Sequence, residues 1–486
     1  MIKAIEKAQK EIDAKRDEIK KGQHRQKYHF MAETGWINDP NGLIYFNGKY
    51  HFFYQYNPYS GFWSAMHWGH AVSDDMLHWE YLPLALAPSE WYDGHPQGGC
   101  FSGSAVVHEG KLYLIYTGTA NNGKGFEQTQ CVAYSEDGIH FEKYAGNPVI
   151  TAPEGVPGDF FRDPYVWKHE DTYYMILGAS VNGYAQALLY KSQNLLNWEK
   201  VSVLCESRGE WGYMWECPNF FEIDGKHVLV VSPMGCSERT CVYMVGDFDY
   251  ETGKFFPEKT GECDWGFQYY APQPFIDDKG RRIMVAWANC WDWMPFWKDW
   301  GPTYREGWCG SFNIPRTVRL NDDLSLSFEP IEEVKAIRKN ETTEFNCELT
   351  DGNAVICDSY CYDSEIIINL KETAAEKFSL ILRKSDENRT VVTYDLKACE
   401  IRFDLTEADG WSKGIARAPL NLIGKDRLDI RILSDRSSLE IFNDDYRVNL
   451  SCNVYTTAEN EENYIEAAGG KLVIESIKTW ELETTM

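Results

Sequence analysis

Five times the chain passes from a polar cluster, through a turn, into a run of aliphatic and aromatic residues. The runs are GKYHFFYQY (48–56), GKLYLIYTG (110–118), DTYYMILGA (171–179), GKHVLVVSP (225–233) and GRRIMVAWA (280–288). Each has the length and β-former content of a buried strand. Their starts, at 48, 110, 171, 225 and 280, set a repeat too long for a helical hairpin and suited to four strands plus loops. A second phrase keeps step with the first: SDDMLHWE (73–80), SEDGIHFE (135–142) and SQNLLNWE (192–199). It reads as a polar turn leading into an outer strand with one aromatic anchor. Strand-rich units repeated radially form a propeller. Two phrases held in one register argue against unrelated sandwiches with coincidental turns. If each polar cluster opens the innermost strand of a blade, all five meet at one end of the axis.

The texture then changes. SEIIINLKE (364–372), KFSLILRKS (377–385), RTVVTYDLK (389–397) and 426–450 alternate apolar and polar residues, the period of half-buried antiparallel strands. Residues 341–486 therefore read as a β-sandwich. Residues 316–340 read as the link, with a short helical turn in EPIEEVKAIRK (329–339). Ile5, Ile12 and Ile19 fall at heptad spacing, so a short amphipathic helix is expected within 1–28, docked on the surface. The fold class is all-β: a five-bladed propeller over 29–315, then a C-terminal sandwich, with a short N-terminal helix.

A formal charge of −26 and a pI near 4.9 exclude nucleic acid and anionic membrane as partners. No apolar run is long enough to span a bilayer. The charged N-terminus lacks a secretory pattern, which points to the cytoplasm. The 14 cysteines form no compact framework and no CxxC pair; Cys357 and Cys361, four apart, are a weak signal. Reduced, mostly buried thiols are expected. WDWMPFWKDW (291–300) is too interrupted by Asp, Lys and Pro for a core strand. It is a platform for sugar rings, a self-packed loop or a subunit contact.

The polar clusters carry the candidate chemistry. They are Asn38-Asp39-Pro40-Asn41-Gly42, Phe101-Ser102-Gly103-Ser104, Phe161-Arg162-Asp163-Pro164, Trp215-Glu216-Cys217-Pro218 and Tyr270-Ala271-Pro272-Gln273. Three hold a carboxylate at what reads as the equivalent place. Pro40 fixes a turn beside Asp39. Arg162 beside Asp163 is expected to keep it ionised, and apolar neighbours to keep Glu216 protonated. Charged and protonated carboxyls facing one another are what glycoside hydrolysis needs. Metal binding is the competing use of such a cluster. His67 and His70 lie three apart on a strand, facing opposite ways, and do not share a ligand site. No metal and no cofactor are called for.

In this order, WINDPNG (36–42), FSGS (101–104), FRDP (161–164) and WECP (215–218) resemble glycoside hydrolase family 32. These are the invertases, sucrose-6-phosphate hydrolases and fructan-degrading β-fructosidases. YHFFYQYNP (50–58), MHWGHAVS (66–73), YAPQ (270–273) and the segment ending at Arg316 extend the likeness over nearly the whole chain. The resemblance implies a five-bladed propeller followed by a sandwich. It implies Asp39 as nucleophile, Glu216 as acid/base and Asp163 as transition-state stabiliser, with net retention through a covalent fructosyl-enzyme. It also implies that Asn38, Gln55, Trp63, Phe101, Ser102 and Arg162 surround the fructose; Gln273, in the fifth phrase, is expected to support or border the substrate site without reacting. The first motif carries Ile37 where Met or Leu is frequent. The expected activity is release of terminal fructose from sucrose, sucrose-6-phosphate or short fructo-oligosaccharides. The alternatives are fructosyl transfer through the same intermediate, a non-catalytic sugar-binding propeller, or an arabinan- or xylan-active relative. Lys124, Arg208, Lys298 and Arg305 are the candidates for a phosphate grip. The sandwich edge is the candidate surface for a homo-oligomer.

Overall fold

The computed structural model describes residues 1–236, 239–294, 300–350, 352–457 and 462–486, and the chain is all-β apart from short helical segments. Five antiparallel sheets follow in chain order. The first holds Gly35–Phe46, Lys49–Asn57, His67–Ser73 and Trp79–Leu86, with Trp308–Cys309 added in parallel beside Gly35–Phe46. The second runs from Gly99–His108 to Glu142–Lys143, the third from Phe161–His169 to Glu199–Glu206, and the fourth from Met214–Ile223 to Lys254–Glu262. The fifth takes Tyr270–Ile276, Arg282–Trp287, Arg316–Leu320 and Leu326–Pro330. The expected linker of 316–340 is therefore corrected. Its first half supplies two strands of the fifth sheet, because the short alternating run Arg316–Leu320 pairs with Arg282–Trp287 across a long excursion. Glu332–Ile337 forms a 3₁₀ turn.

The lead strand of each sheet touches the lead strand of the next, and Tyr270–Ile276 touches Gly35–Phe46. One apolar core fills each gap. Trp68 and Tyr116 join the first and second sheets, Ile115 and Met175 the second and third, and Ile176 and Leu229 the third and fourth. Val230 and Met284 join the fourth and fifth, and Trp36 and Trp287 the fifth and first. The turns of the sequence phrase become tight hairpins. Asn47-Gly48, Glu109-Gly110 and Asp224-Gly225 all have positive φ, as a two-residue turn matched to strand twist requires. The second phrase is one turn made three times. Asp75, Asp137 and Asn194 each accept two backbone N–H groups from two and three residues on. Ser73, Ser135 and Ser192 cap the same turn.

Two six-stranded sheets share a separate core built around Ile366, Phe378, Tyr394, Ile432, Ile441 and Leu450. The N-terminal helix Ile2–Ile19 buries Ala8, Ile12 and Ile19, and packs on Trp79–Leu86. Among the described residues no helix is long and apolar enough to cross a membrane. No disulfide is formed among the described residues.

A buried ionic knot joins the sandwich to the sheets before it. Arg316 is fully buried and donates to Asp264 (2.8 Å), to Glu440 (2.5 Å) and to Ser451 (2.6 Å). His29 bonds Asp435 through Nδ1 (2.9 Å) and Glu440 through Nε2 (2.8 Å). Burial opposes the charge on His29, but the two carboxylates outweigh it and hold the imidazole up at about 9. For Glu440, Arg316 and His29 overcome burial and hold the carboxyl down at about 2. Removing one member of such a cluster strands the others without a partner, at about 3–5 kcal/mol.

The His29 contribution is complete below the ordinary imidazole value of 6.5 and is lost as pH rises through about 9. Urea unfolding should show stability declining across that window in the native chain. In His29→Leu it should be lower by about 3–5 kcal/mol at pH 6, with that decline absent. Equal pH slopes for the two proteins would contradict this.

Candidate active site

Each lead strand carries an extra residue near its start, and the first carries another between Asn41 and Ile44. Pairing with the neighbouring strand slips between Ile37 and Pro40, Phe101 and Gly103, Arg162 and Tyr165, Glu216 and Asn219, and Tyr270 and Gln273. These slips are β-bulges, which unpair a residue and re-aim its side chain. The polar clusters of the sequence are the bulges. Pro40, Pro164, Pro218 and Pro272 suit them because proline offers no N–H to a ladder. The second bulge uses Gly103 instead: a Cβ there would meet the Ile115 carbonyl oxygen at 2.0 Å. Asp163, Cys217 and Ala271 take positive φ (65°, 44° and 49°). Their freed N–H groups are bonded by Thr117 Oγ1, Asp163 Oδ2 and Ser232 Oγ.

Register corrects one expectation. Glu216 is not equivalent to Asp163; it stands just before its bulge, where Arg162 and Tyr270 stand in the third and fifth sheets. These three register mates form one hydrogen-bonded row. Arg162 Nη2 donates to Glu216 Oε1 (2.8 Å) and Tyr270 Oη donates to Glu216 Oε2 (2.5 Å). The bulge residues form a second tier. Ser102 Oγ donates to Asp39 Oδ2 (2.6 Å), as does the Cys217 thiol (3.4 Å). Asp39 Oδ1 meets no donor among the described residues.

Both tiers wall a cleft of about 680 Å³. Asn38, Asp39, Gln55, Trp63, Phe101, Ser102, Arg162, Asp163 and Glu216 all line it. Trp36 Nε1 orients Asn38 (2.9 Å), Gln55 donates to the Cys100 carbonyl (2.9 Å), and Trp63 meets Phe101 edge to face. Gln273 is the exception. Its amide donates to the Gly103 carbonyl (2.9 Å) and accepts from Leu43 N–H (3.0 Å), behind the cleft. It ties the first and second lead strands together, because it lies past its bulge, where the strand has resumed pairing. His67 bonds the Ala65 carbonyl and His70 bonds His51, so the two share no ligand site.

The electrostatic expectation also changes. The short contact of Arg162 is Glu216; its Nε lies 3.7 Å from Asp163. Burial therefore prevails at Asp163 and, against the pull of Arg162, lifts its carboxyl to about 7. Burial and the nearby Glu216 lift Asp39 to about 6, although Ser102, Asn38 and Cys217 hold it down. Glu216 does not sit among apolar groups: both its oxygens are hydrogen-bonded.

Sequence reasoning passed over Tyr270, Gln128 and Met234. Tyr270 was legible as the member of the fifth phrase that aligns with Arg162. Gln128, which accepts from Phe161 N–H (3.0 Å), and Met234, whose sulfur lies 3.1 Å from Arg162, carry no motif. In the aromatic segment, Trp291 lines the cleft and stacks on Trp36, while Trp293 stacks on Phe267. Residues 295–299, with the candidate Lys298, lie outside the described residues. Lys124 and Arg208 do not line the cleft, and Arg305 lies over the Trp411 ring.

A cleft in which three carboxylates converge with an arginine and aromatic walls defines a glycoside hydrolase. The sequence matches the family descriptions "Glycosyl hydrolases family 32 N-terminal domain" over 29–330 and "Glycosyl hydrolases family 32 C terminal" over 333–481. The chain belongs to glycoside hydrolase family 32. It is 35% identical to the sucrose-6-phosphate hydrolase of Zymomonas mobilis, covering 94% of this chain and 92% of that one. It is 36% identical to the raffinose invertase of Escherichia coli, covering 94% of each. The solved GH32 beta-fructofuranosidase of Bombyx mori superposes with a TM-score of 0.85 at 31% identity, over 99% of both chains.

A carboxyl held above its ordinary value stabilises the fold below that value and destabilises it as pH rises through the folded one. For Asp163 the loss runs from about 3.8 to about 7. Asp163→Asn keeps the shape and tolerates positive φ. It should therefore raise the unfolding free energy at pH 7.5 by about 1–3 kcal/mol, with little gain at pH 4. A melting temperature that drops at pH 7.5 would contradict this.

Proposed function

We propose that this chain is a retaining β-fructofuranosidase that releases terminal fructose from sucrose and related short fructosides. The five consecutive sheets are taken as blades of a closed propeller. A core between each neighbouring pair, the fifth and first included, supports that reading. The observation that carries the function is the state of Asp39. Its Oδ2 is held by Ser102 and Cys217, and the carboxylate lines one cleft with Glu216.

The Asp39 carboxylate attacks the anomeric C2 as Glu216 protonates the departing glycosidic oxygen. The products are the free leaving sugar and a fructosyl ester on Asp39. Glu216 then takes a proton from water, which attacks C2 and releases fructose and the Asp39 carboxylate. Two displacements at one carbon retain configuration. Arg162 and Tyr270 fix both oxygens of Glu216, so the acid is oriented before substrate arrives. Asp163 faces the ring hydroxyls and opposes the positive charge that builds at C2. The names of the relatives support sucrose chemistry, since they include a sucrose-6-phosphate hydrolase and an invertase.

Asp39→Ala and Glu216→Gln should each lose at least about 10³-fold in sucrose turnover while remaining folded. Because Asp163 and Asp39 both act as anions, kcat/KM should fall as pH drops through about 7 and further through about 6. Near-normal turnover in either variant would refute the assignment.

A further inference from the structure

Among its described lining residues the cleft holds four carboxylates, Asp39, Asp159, Asp163 and Glu216, and one cation, Arg162. Three of the carboxylates have roles in the proposed reaction, and Arg162 bonds Glu216. Asp159 has no such role. It is exposed, in the turn just before the lead strand Phe161–His169. Its position is nevertheless fixed. Phe160 N–H donates to the Pro157 carbonyl (3.1 Å), and Arg162 Nη1 donates to the Asp159 carbonyl (3.2 Å). The other end of the same guanidinium holds Glu216. A single side chain thus ties the backbone of Asp159 to the acid/base carboxylate.

The bond that breaks runs to the oxygen that Glu216 protonates, so the leaving sugar occupies this side of the cleft. We infer that Asp159 is a specificity residue that disfavours an anionic leaving group, so that the enzyme prefers sucrose to sucrose carrying a phosphate on its glucosyl C6. The inference rests on the β-fructofuranosidase reading and refines it. Apolar walls such as Phe160 and Trp291 focus the field of a cleft that carries excess negative charge. A phosphate dianion about 8 Å from one carboxylate in a water-like dielectric is disfavoured about fivefold. The effect weakens as salt shortens the screening length.

The test measures kcat/KM for sucrose and for sucrose-6-phosphate side by side, at low and at high ionic strength. It uses the native enzyme, Asp159→Asn and the charge-conserving Asp159→Glu. At low salt the native enzyme should favour sucrose. The ratio should move about fivefold towards the phosphate ester in Asp159→Asn, remain near native in Asp159→Glu, and move the same way as salt rises in the native enzyme. A native preference for sucrose-6-phosphate, or a ratio unmoved by substitution and by salt, overturns the inference while leaving the fructosidase reading intact. Cleavage of neither sugar overturns both.

Discussion

One extra residue in each lead strand is the constraint on which the site depends. A regular strand would alternate its side chains and keep every N–H in the ladder. The bulge breaks both rules at one level in five strands. That lets residues remote in sequence turn towards a common space without leaving the sheet. It also explains the residue types. Proline or glycine must occupy the break, and the freed N–H groups require acceptors such as Thr117, Ser232 and Asp163 itself. The chemistry is then a choice of side chain on a frame that the bulges have fixed.

The frame leads to crowding of charge. Asp39 and Asp163 are buried within reach of Glu216, with Arg162 as the sole cation lining the cleft among the described residues. Two carboxyls are consequently pushed up, which destabilises the fold at neutral pH. Elsewhere the same chain buries charge in a balanced way. Arg316 and His29 meet Asp264, Asp435 and Glu440, so that each of these carboxylates faces a cationic partner. The contrast separates site from scaffold: carboxylates matched with cations at the junction, more carboxylates than cations among the described residues that line the cleft.

Much of this was legible in the sequence because it repeats. The spacing of five strand phrases exposed the repeated sheets, and alternation after residue 360 exposed the sandwich strands. Residues 36–42, 161–164 and 215–218 exposed the carboxylates that line the cleft. What escaped follows from register. Glu216 looked equivalent to Asp163, because a string of letters does not show which residue is unpaired. The partner of Arg162 was therefore assigned to its chain neighbour rather than to its register mate on the next sheet. Gln273 looked like a site residue for the same reason; it lies past its bulge and faces backbone. The strands within 316–330 were missed because they are short and pair across a long excursion.

The central claim is that the bulge at the first sheet presents Asp39, and no other carboxylate, as the nucleophile. Glu216→Gln incubated with β-fructosyl fluoride tests it directly. Fluoride leaves without a proton, and the second step lacks its base, so the covalent intermediate should accumulate. Peptide mass spectrometry of the quenched protein should find one fructosyl unit, esterified to Asp39. Label on Asp163, or no label alongside continued release of fluoride, would contradict the account.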